Sequence, residues 1–107
     1  MPVTITHENY EEQIENATKP VIIDVYADWC GPCQQMAPLF DELSQELSSN
    51  YIFAKLNVDE SRDLAVKFGV TSIPTFIFMK NGEILGKETG YMSKEDLRAK
   101  IEESFGA

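Results

Sequence analysis

The chain has 107 residues and a formal net charge of -9 at pH 7, with 43% hydrophobic and 25% charged residues. This length suits one compact domain that folds around a single core, so we expect one domain over residues 1–107. The acidic balance argues against a nucleic-acid partner, which needs a basic surface, and no apolar stretch is long enough to span a membrane.

Strand-like and helix-like segments alternate in the first half of the chain. Residues 3–5 are predicted as a short strand, and apolar side chains at i, i+4 and i+7 predict an amphipathic helix over residues 10–17. Residues 21–27 read VIIDVYA, a nearly continuous apolar run that is typical of a strand covered on both faces. An apolar helical stripe over residues 31–47 predicts the next helix, and Pro38 within it predicts a kink.

The second half continues the alternation. Residues 51–58 are predicted as a strand, followed by a short helix around residues 64–68 that Gly69 closes in a left-handed conformation. Two further strands, over residues 75–79 and 83–90, flank an Asn-Gly pair, which is the strongest short-range signal for a β-hairpin.

The last helix should begin after Ser93, whose side chain is an N-cap with Asp96 three residues on. The complete order is therefore β-α-β-α-β-α-β-β-α. It predicts an α/β sheet that is parallel early and antiparallel late, with helices on both sides.

The chain has only two cysteines, and two residues separate them in the motif Trp29-Cys30-Gly31-Pro32-Cys33. If Cys33 lies on a helix, Cys30 falls at its N-terminus, where free N–H groups and the helix dipole stabilise a thiolate. A zinc or iron–sulfur site would need ligands from a second chain, because a structural zinc takes four. A purely structural disulfide would close too small a loop to stabilise the fold much. The spacing therefore favours redox catalysis.

The two cysteines should have different roles. Cys30 precedes the helix, so we expect it to be solvent-accessible and to attack substrate disulfides. Cys33 lies one turn in, should be more buried, and would resolve the mixed disulfide. Gly31 and Pro32 stiffen the turn and suit a helix start. Trp29 could be a core aromatic residue, but its place beside a reactive turn favours a substrate-contacting surface.

A carboxylate stands in the middle of the apolar strand at Asp24. Alternation places it on the face covered by the Cys33 helix, and burial there should raise its pKa towards neutrality. We interpret Asp24 as the proton acceptor for Cys33; the alternative is a buried carboxylate held by structural hydrogen bonds. Lys55 in the next strand is the candidate counter-charge, unless it is an ordinary solvent-facing lysine. Both are therefore candidate catalytic residues, and we predict no metal ligand.

Taken together, the chain resembles the thioredoxin family over essentially its full length. The matching features are Asp24, the WCGPC motif of residues 29–33, Pro38, the segments 55–59 and 80–83, Ile73-Pro74-Thr75 and Gly90. The resemblance implies a five-stranded mixed sheet in the order 1-3-2-4-5 with four helices, two on each face. It also implies a cis bond between Ile73 and Pro74, opposite the cysteines, which the sequence alone does not predict.

The resemblance further implies how the protein would work. Extended substrate segments would bind by backbone hydrogen bonds near the proline, in a shallow apolar groove. The groove residues would be Trp29, Gly31, Pro32, Ile73, Pro74 and Gly90. No cofactor would be bound; electrons would come from NADPH through a separate flavin-containing thioredoxin reductase. The other partners would be proteins that contain disulfides, and the protein would be a monomer.

Two positions depart from the family's usual pattern. Tyr26 stands where the family often has Trp, and since an aromatic ring remains, packing should survive. Gln34 stands where the family often has Lys directly after the second cysteine. Without that positive charge, beside Asp28, the Cys30 thiolate should be stabilised less.

The leading hypothesis is therefore a thiol–disulfide oxidoreductase that reduces protein disulfides through Cys30 and Cys33. No secretory signal is visible at the N-terminus, so the cytoplasm is the default location, and that compartment favours reduction. One alternative is a disulfide oxidase or isomerase in an oxidising compartment. The other is a non-catalytic interaction module whose cysteines only report redox state.

Overall fold

The computed structural model of the protein describes residues 2–106. Five strands and four helical segments make up the fold, in the order predicted from the sequence. The strands are β1 (Val3–Thr4), β2 (Val21–Tyr26), β3 (Ile52–Asn57), β4 (Thr75–Lys80) and β5 (Glu83–Thr89). The helical segments are a short π-helix (Glu11–Glu15), α1 (Gly31–Leu47), α2 (Arg62–Lys67) and α3 (Lys94–Phe105).

All five strands form one mixed sheet in the order β1-β3-β2-β4-β5. The strands β1 and β2 both pair with β3 in parallel, whereas β4 pairs with β2 and β5 in antiparallel fashion. This confirms the predicted fold class and strand order. It also puts β2, the strand with the internal carboxylate, at the centre of the sheet, where both of its faces are covered.

Two apolar cores lie on opposite faces of the sheet. One core packs the π-helix and α2 against the sheet, and the other packs α1 and α3 against it, so each face carries two helical segments. Residues of β2 alternate between the cores: Ile23 belongs to the first and Ile22 to the second. The helix that carries Cys33 therefore covers the face of β2 on which even-numbered residues lie.

The first helix differs from its prediction. It spans only Glu11–Glu15 and is a π-helix, in which the Asn16 N–H donates to the Glu11 carbonyl five residues back. Tyr10 and Ile14 are both buried, as their spacing predicted, and Ala17 packs at the edge of the same core. The apolar spacing thus predicted a helical segment correctly but overestimated its length. A single π-helical turn is sufficient to bury these side chains before β2 begins.

The predicted turns and caps are confirmed. Asn81 and Gly82, between β4 and β5, both have positive φ, 53° and 79°, as a tight two-residue hairpin requires. Gly69 follows Phe68, the C-cap residue of α2, and has a φ of 70°. The Ser93 side chain accepts a hydrogen bond of 3.1 Å from the Asp96 N–H at the start of α3. Among residues 2–106, no helix has the length and apolar character needed to cross a membrane.

Candidate active site

The cysteine motif forms the start of α1. Cys30 is the N-cap residue, with extended backbone angles, and α1 begins at Gly31 with Pro32 in its first turn. Proline is tolerated here because the first N–H groups of a helix have no partner within it. Cys30 and Cys33 form a disulfide with their Cα atoms 5.2 Å apart. The Cys33 N–H also points at the Cys30 sulfur, 3.2 Å away. A thiolate on Cys30 would be stabilised by that N–H and by the helix dipole.

The expected difference in exposure between the two cysteines is small. Cys30 is 6% exposed and Cys33 is 3% exposed, so the prediction of a solvent-accessible Cys30 is wrong for the disulfide-bonded state. The reason is local packing: Tyr26, Val58 and Ile73 pack against the pair, and the Cys30 sulfur lies 3.9 Å from the Ile73 carbonyl oxygen. The order of the two exposures agrees with the predicted roles.

Asp24 is fully buried in the middle of β2, with 0% exposure. Within residues 2–106, neither of its carboxylate oxygens has a hydrogen-bond partner, so the alternative of a structurally satisfied carboxylate finds no support. Burial raises the pKa of Asp24 from 3.8 to about 7, and the positive charge of Lys55 opposes part of that rise. A carboxyl group with this pKa can take up or release a proton close to neutral pH.

Lys55 is the cross-strand neighbour of Asp24, because β2 and β3 pair in parallel with these two residues in register. Its ammonium group does not hydrogen-bond to Asp24. Instead, its Nζ atom lies over the ring of Tyr26, 4.4 Å from the ring centroid. Lys55 is half-buried, so it is neither a solvent-facing lysine nor a direct ion-pair partner of the carboxylate.

A cleft is lined by both Lys55 and Cys33. Its volume is about 330 Å³. Its lining residues are Tyr26, Ala27, Asp28, Cys33, Gln34, Ala37 and Lys55. The Gln34 side chain donates a hydrogen bond of 2.6 Å to the Asp28 carbonyl, which holds it at the mouth of this cleft. The structure thus brings Cys33, Lys55 and Tyr26 together on the sheet face that carries Asp24.

A second cleft, of about 430 Å³, lies beside the disulfide. Trp29 is 71% exposed at its edge, and its indole N–H donates a hydrogen bond of 2.9 Å to Asp59. Ile73 also lines this cleft. The remaining lining residues are Val58, Asp59, Arg62, Ala65, Val66, Val70, Thr71 and Ser72.

This cleft differs from the predicted groove. Of the six residues expected there, only Trp29 and Ile73 line it. Pro74 is buried, and Gly31 and Pro32 are exposed at the start of α1, but none of the three lines this cleft. The Gly90 N–H donates a hydrogen bond of 2.8 Å to the Pro74 carbonyl. The Ile73–Pro74 bond is cis, as the family resemblance implied.

The sequence reasoning missed two residues of this region. The matching segment 55–59 contains Asp59 but does not predict that Asp59 accepts a hydrogen bond from the Trp29 indole. The aromatic ring at Tyr26 predicts packing but not the contact of that ring with the Lys55 ammonium. Period-2 alternation could have found the second contact, because Tyr26 shares a sheet face with Asp24 and Lys55. No group of three or more potential metal ligands occurs in the part of the chain that the structure describes.

Comparisons with known proteins agree with this geometry. The family model described as Thioredoxin matches residues 1–103. The chain is 36% identical over 101 residues to a thioredoxin of Chlorobaculum thiosulfatiphilum, covering 94% of each chain. It is 40% identical over 99 residues to a thioredoxin of Alicyclobacillus acidocaldarius, covering 92% of this chain and 93% of the relative. It is also 42% identical over 95 residues to thioredoxin H4 of Arabidopsis thaliana, covering 89% and 79%.

The match extends over nearly the whole chain, and the relatives are matched over most of their own length. The bonded cysteine pair at the start of α1 is the group through which such proteins exchange disulfides. The chain therefore belongs to the thioredoxin family, and it is a thiol–disulfide oxidoreductase with protein-disulfide reductase activity.

Proposed function

We propose that the protein reduces protein disulfides in two exchange steps, with Cys30 as nucleophile and Cys33 as resolving thiol. The Cys30 thiolate attacks one sulfur of a substrate disulfide, forms a mixed disulfide and releases the other substrate sulfur as a thiolate. The Cys33 sulfur then attacks Cys30, so the Cys30–Cys33 disulfide forms and the second substrate sulfur leaves. Two electrons pass from the protein dithiol to the substrate, which leaves as a dithiol after taking up two protons.

The observation that carries this proposal is the placement of Cys30 as N-cap of α1, within bonding distance of Cys33. An N-cap sulfur receives the first free N–H groups of the helix, which favour the thiolate. In the second step the substrate sulfur is the leaving group, and it leaves faster the lower its thiol pKa is.

Asp24 is the proton acceptor for Cys33 in this proposal. Its carboxylate is buried on the sheet face under α1, and burial raises its pKa to about 7, which suits a base that works near neutral pH. The half-buried cleft lined by Cys33 and Lys55 gives the proton a route towards solvent. Lys55 contributes a positive charge that limits how far the Asp24 pKa rises.

Substrate segments bind in the cleft beside the disulfide. Trp29 and Ile73 supply apolar contact surface, and Asp59 keeps the indole ring in place. Gly31 and Pro32 form the exposed rim over which a substrate sulfur reaches Cys30. Pro74 and Gly90 remain candidate substrate-contacting residues, joined by the hydrogen bond that the Gly90 N–H donates to the Pro74 carbonyl.

The electron source of the proposal is NADPH, delivered by a separate flavin-containing thioredoxin reductase that reduces the Cys30–Cys33 disulfide. Thioredoxins themselves bind no cofactor. The protein acts as a monomeric single domain in the cytoplasm, where glutathione and NADPH-dependent systems keep thiols reduced. Light scattering at micromolar concentration and a measured reduction potential test these points, because an oxidase or isomerase would have a markedly higher potential.

The test is insulin reduction with NADPH and a thioredoxin reductase, comparing the native protein with Cys30→Ser and Cys33→Ser. Both variants should be inactive, but only Cys33→Ser should accumulate a stable mixed disulfide through its remaining Cys30. A matched control is Ser44→Ala, a buried hydroxyl on the same helix, which should retain activity. A mixed disulfide that forms only in Cys30→Ser, through Cys33, would contradict the assignment. Full cellular activity of the double Cys→Ser variant would instead favour an interaction module.

A further inference from the structure

The lysine beside the buried carboxylate is held by an aromatic ring. The Lys55 Nζ atom lies 4.4 Å from the centroid of Tyr26, well inside the distance of about 6 Å at which a ring attracts a cation. Burial raises the pKa of the Tyr26 phenol above its ordinary value of 10.0. The ring is therefore neutral over the whole range in which Asp24 titrates, and it attracts the ammonium through its face rather than through a charge.

The backbone would allow another arrangement. Asp24 and Lys55 are direct partners on neighbouring parallel strands, so their side chains leave the sheet on the same face. A lysine in this register can reach the carboxylate, yet neither Asp24 oxygen accepts a hydrogen bond. The Lys55 ammonium contacts the ring of Tyr26 instead. Tyr26 lies two residues after Asp24 in β2 and on the same face of the sheet.

We propose that Tyr26 is a positioning residue for the Cys33 half of the reaction, because its ring holds the Lys55 ammonium and prevents it from pairing directly with Asp24. The proposal rests on the role of Asp24 as proton acceptor given above. A directly paired carboxylate would be a weaker base, since an adjacent positive charge stabilises its ionised form. The Tyr26 ring thus keeps the Lys55 ammonium in the cleft but out of direct contact with Asp24, so the Asp24 carboxylate stays basic.

The charged groups around this site come from three elements. Lys55 is contributed by β3, and Asp28 follows β2 and lines the same cleft. From α1 come the Cys33 sulfur, in that cleft, and Asp41, which lines an adjoining cleft with Lys55. The β4 residue opposite Asp24 is Phe76, which carries no charge. Lys55 is thus the one cation among these neighbours, and its position sets the electrostatic balance at Asp24.

The test follows the titration of Asp24 by carboxyl NMR in the oxidised protein, which requires no catalysis. In Tyr26→Leu the freed ammonium should pair with Asp24 and lower its titration midpoint by about one pKa unit or more. Tyr26→Phe keeps the ring and should leave the midpoint in place. Tyr26→Met serves as a second ring-less variant if Tyr26→Leu folds poorly.

A double-mutant comparison shows whether a fall in the Asp24 titration midpoint comes from movement of the Lys55 ammonium or from water that enters when the Tyr26 ring is removed. In a Lys55→Met background, Tyr26→Leu should no longer lower the Asp24 midpoint, because no ammonium remains to move. An equal fall in both backgrounds, or no fall in either, would overturn the proposal and leave the function of Asp24 untouched.

The kinetic readout is the pH dependence of disulfide formation between Cys33 and Cys30 in a single turnover. Its midpoint should move with the NMR midpoint in Tyr26→Leu and stay in place in Tyr26→Phe. If the NMR midpoint moves as expected and the rate profile does not follow it, the assignment of Asp24 as proton acceptor fails. The positioning role of Tyr26 in the reaction then fails with it, although the contact itself stands.

Discussion

Successive residues of β2 lie on opposite faces of the sheet, and the two faces differ in the side chains that they carry. The odd-numbered positions from 21 to 25 carry only apolar side chains, packed against the π-helix and α2. The even-numbered positions carry Ile22, Asp24 and Tyr26, under α1 and next to the disulfide. One face is an ordinary core that holds the sheet together. The other includes a buried carboxylate with no hydrogen-bond partner among the described residues, and this is the group that we propose as proton acceptor for Cys33.

The difference shows where this protein accepts a loss of stability. An ionised carboxylate away from water and without partners is costly, and a fold under selection for stability alone would have an apolar residue there. The cost falls on the face that supports the reacting sulfurs. The odd-numbered positions of β2 carry no such group, since the carboxylate that we propose as proton acceptor lies on the other face.

The largest expected effect comes from placing a second carboxylate on the inert face. Ile23→Asp would bury a charge among apolar side chains and remove a fully buried aliphatic group, so it should lower the free energy of unfolding by about 5 kcal/mol or more at pH 8. Urea unfolding measures this loss. Ile23→Val is the matched control, with an expected loss of about 1 kcal/mol. A loss of similar size in both variants would mean that the two faces tolerate carboxylates alike.

The next effect is the pH dependence of stability on the active face. Because the Asp24 pKa is raised in the folded state, its contribution is fully present below pH 3.8 and is lost as pH rises to about 7. The shift corresponds to on the order of 4 kcal/mol across this window. In Asp24→Asn this fall in the free energy of unfolding between pH 4 and 8 should be absent, whereas the exposed-site control Glu103→Gln should retain it.

Urea unfolding of the three proteins across that pH range is the measurement. If the native protein and Asp24→Asn show the same pH dependence, Asp24 does not titrate in this window. The two faces of β2 would then differ in residue composition but not in how their stability depends on pH.

The smallest expected effect concerns the position after Cys33. Gln34→Lys would add a positive charge near the start of α1, where the native glutamine bonds to the Asp28 carbonyl. Surface charges interact weakly, so the rate of Cys30 alkylation near pH 7 should rise only about two- to threefold. Alkylation rates of the reduced proteins against pH measure this change, with Gln35→Lys, one residue further along α1, as control. Equal rates in the native protein and Gln34→Lys would show that a positive charge at position 34 does not affect the reactivity of Cys30.

The sequence predicted the fold well because its signals are local or periodic. The WCGP turn marks the start of α1, the Asn-Gly pair marks the hairpin, and alternation in VIIDVYA places Asp24 on the face of the cysteine helix. The burial of Asp24 follows from its position in that apolar run. The strand order and the cis bond at Pro74 came from the family resemblance rather than from these local signals.

The details that the sequence did not predict depend on contacts between distant segments. The Trp29–Asp59 hydrogen bond joins residues 30 positions apart. The Lys55 ammonium could contact either Asp24 or Tyr26, and it contacts Tyr26. The low exposure of Cys30 results from the packing of the Ile73 loop over it. Periodicity can assign a side chain to a face, but it cannot say which neighbour on that face the side chain will contact.

Proton transfer from Cys33 to Asp24 is the central step of the proposed reaction, and rapid mixing of the reduced protein with an aromatic disulfide reagent tests it directly. The first coloured thiolate is released when Cys30 attacks, and the second when Cys33 displaces it. In the native protein the second rate should rise with pH around a midpoint of about 7, and in Asp24→Asn it should be at least about tenfold slower without that midpoint. Equal second rates with the same pH profile in both proteins would contradict the account.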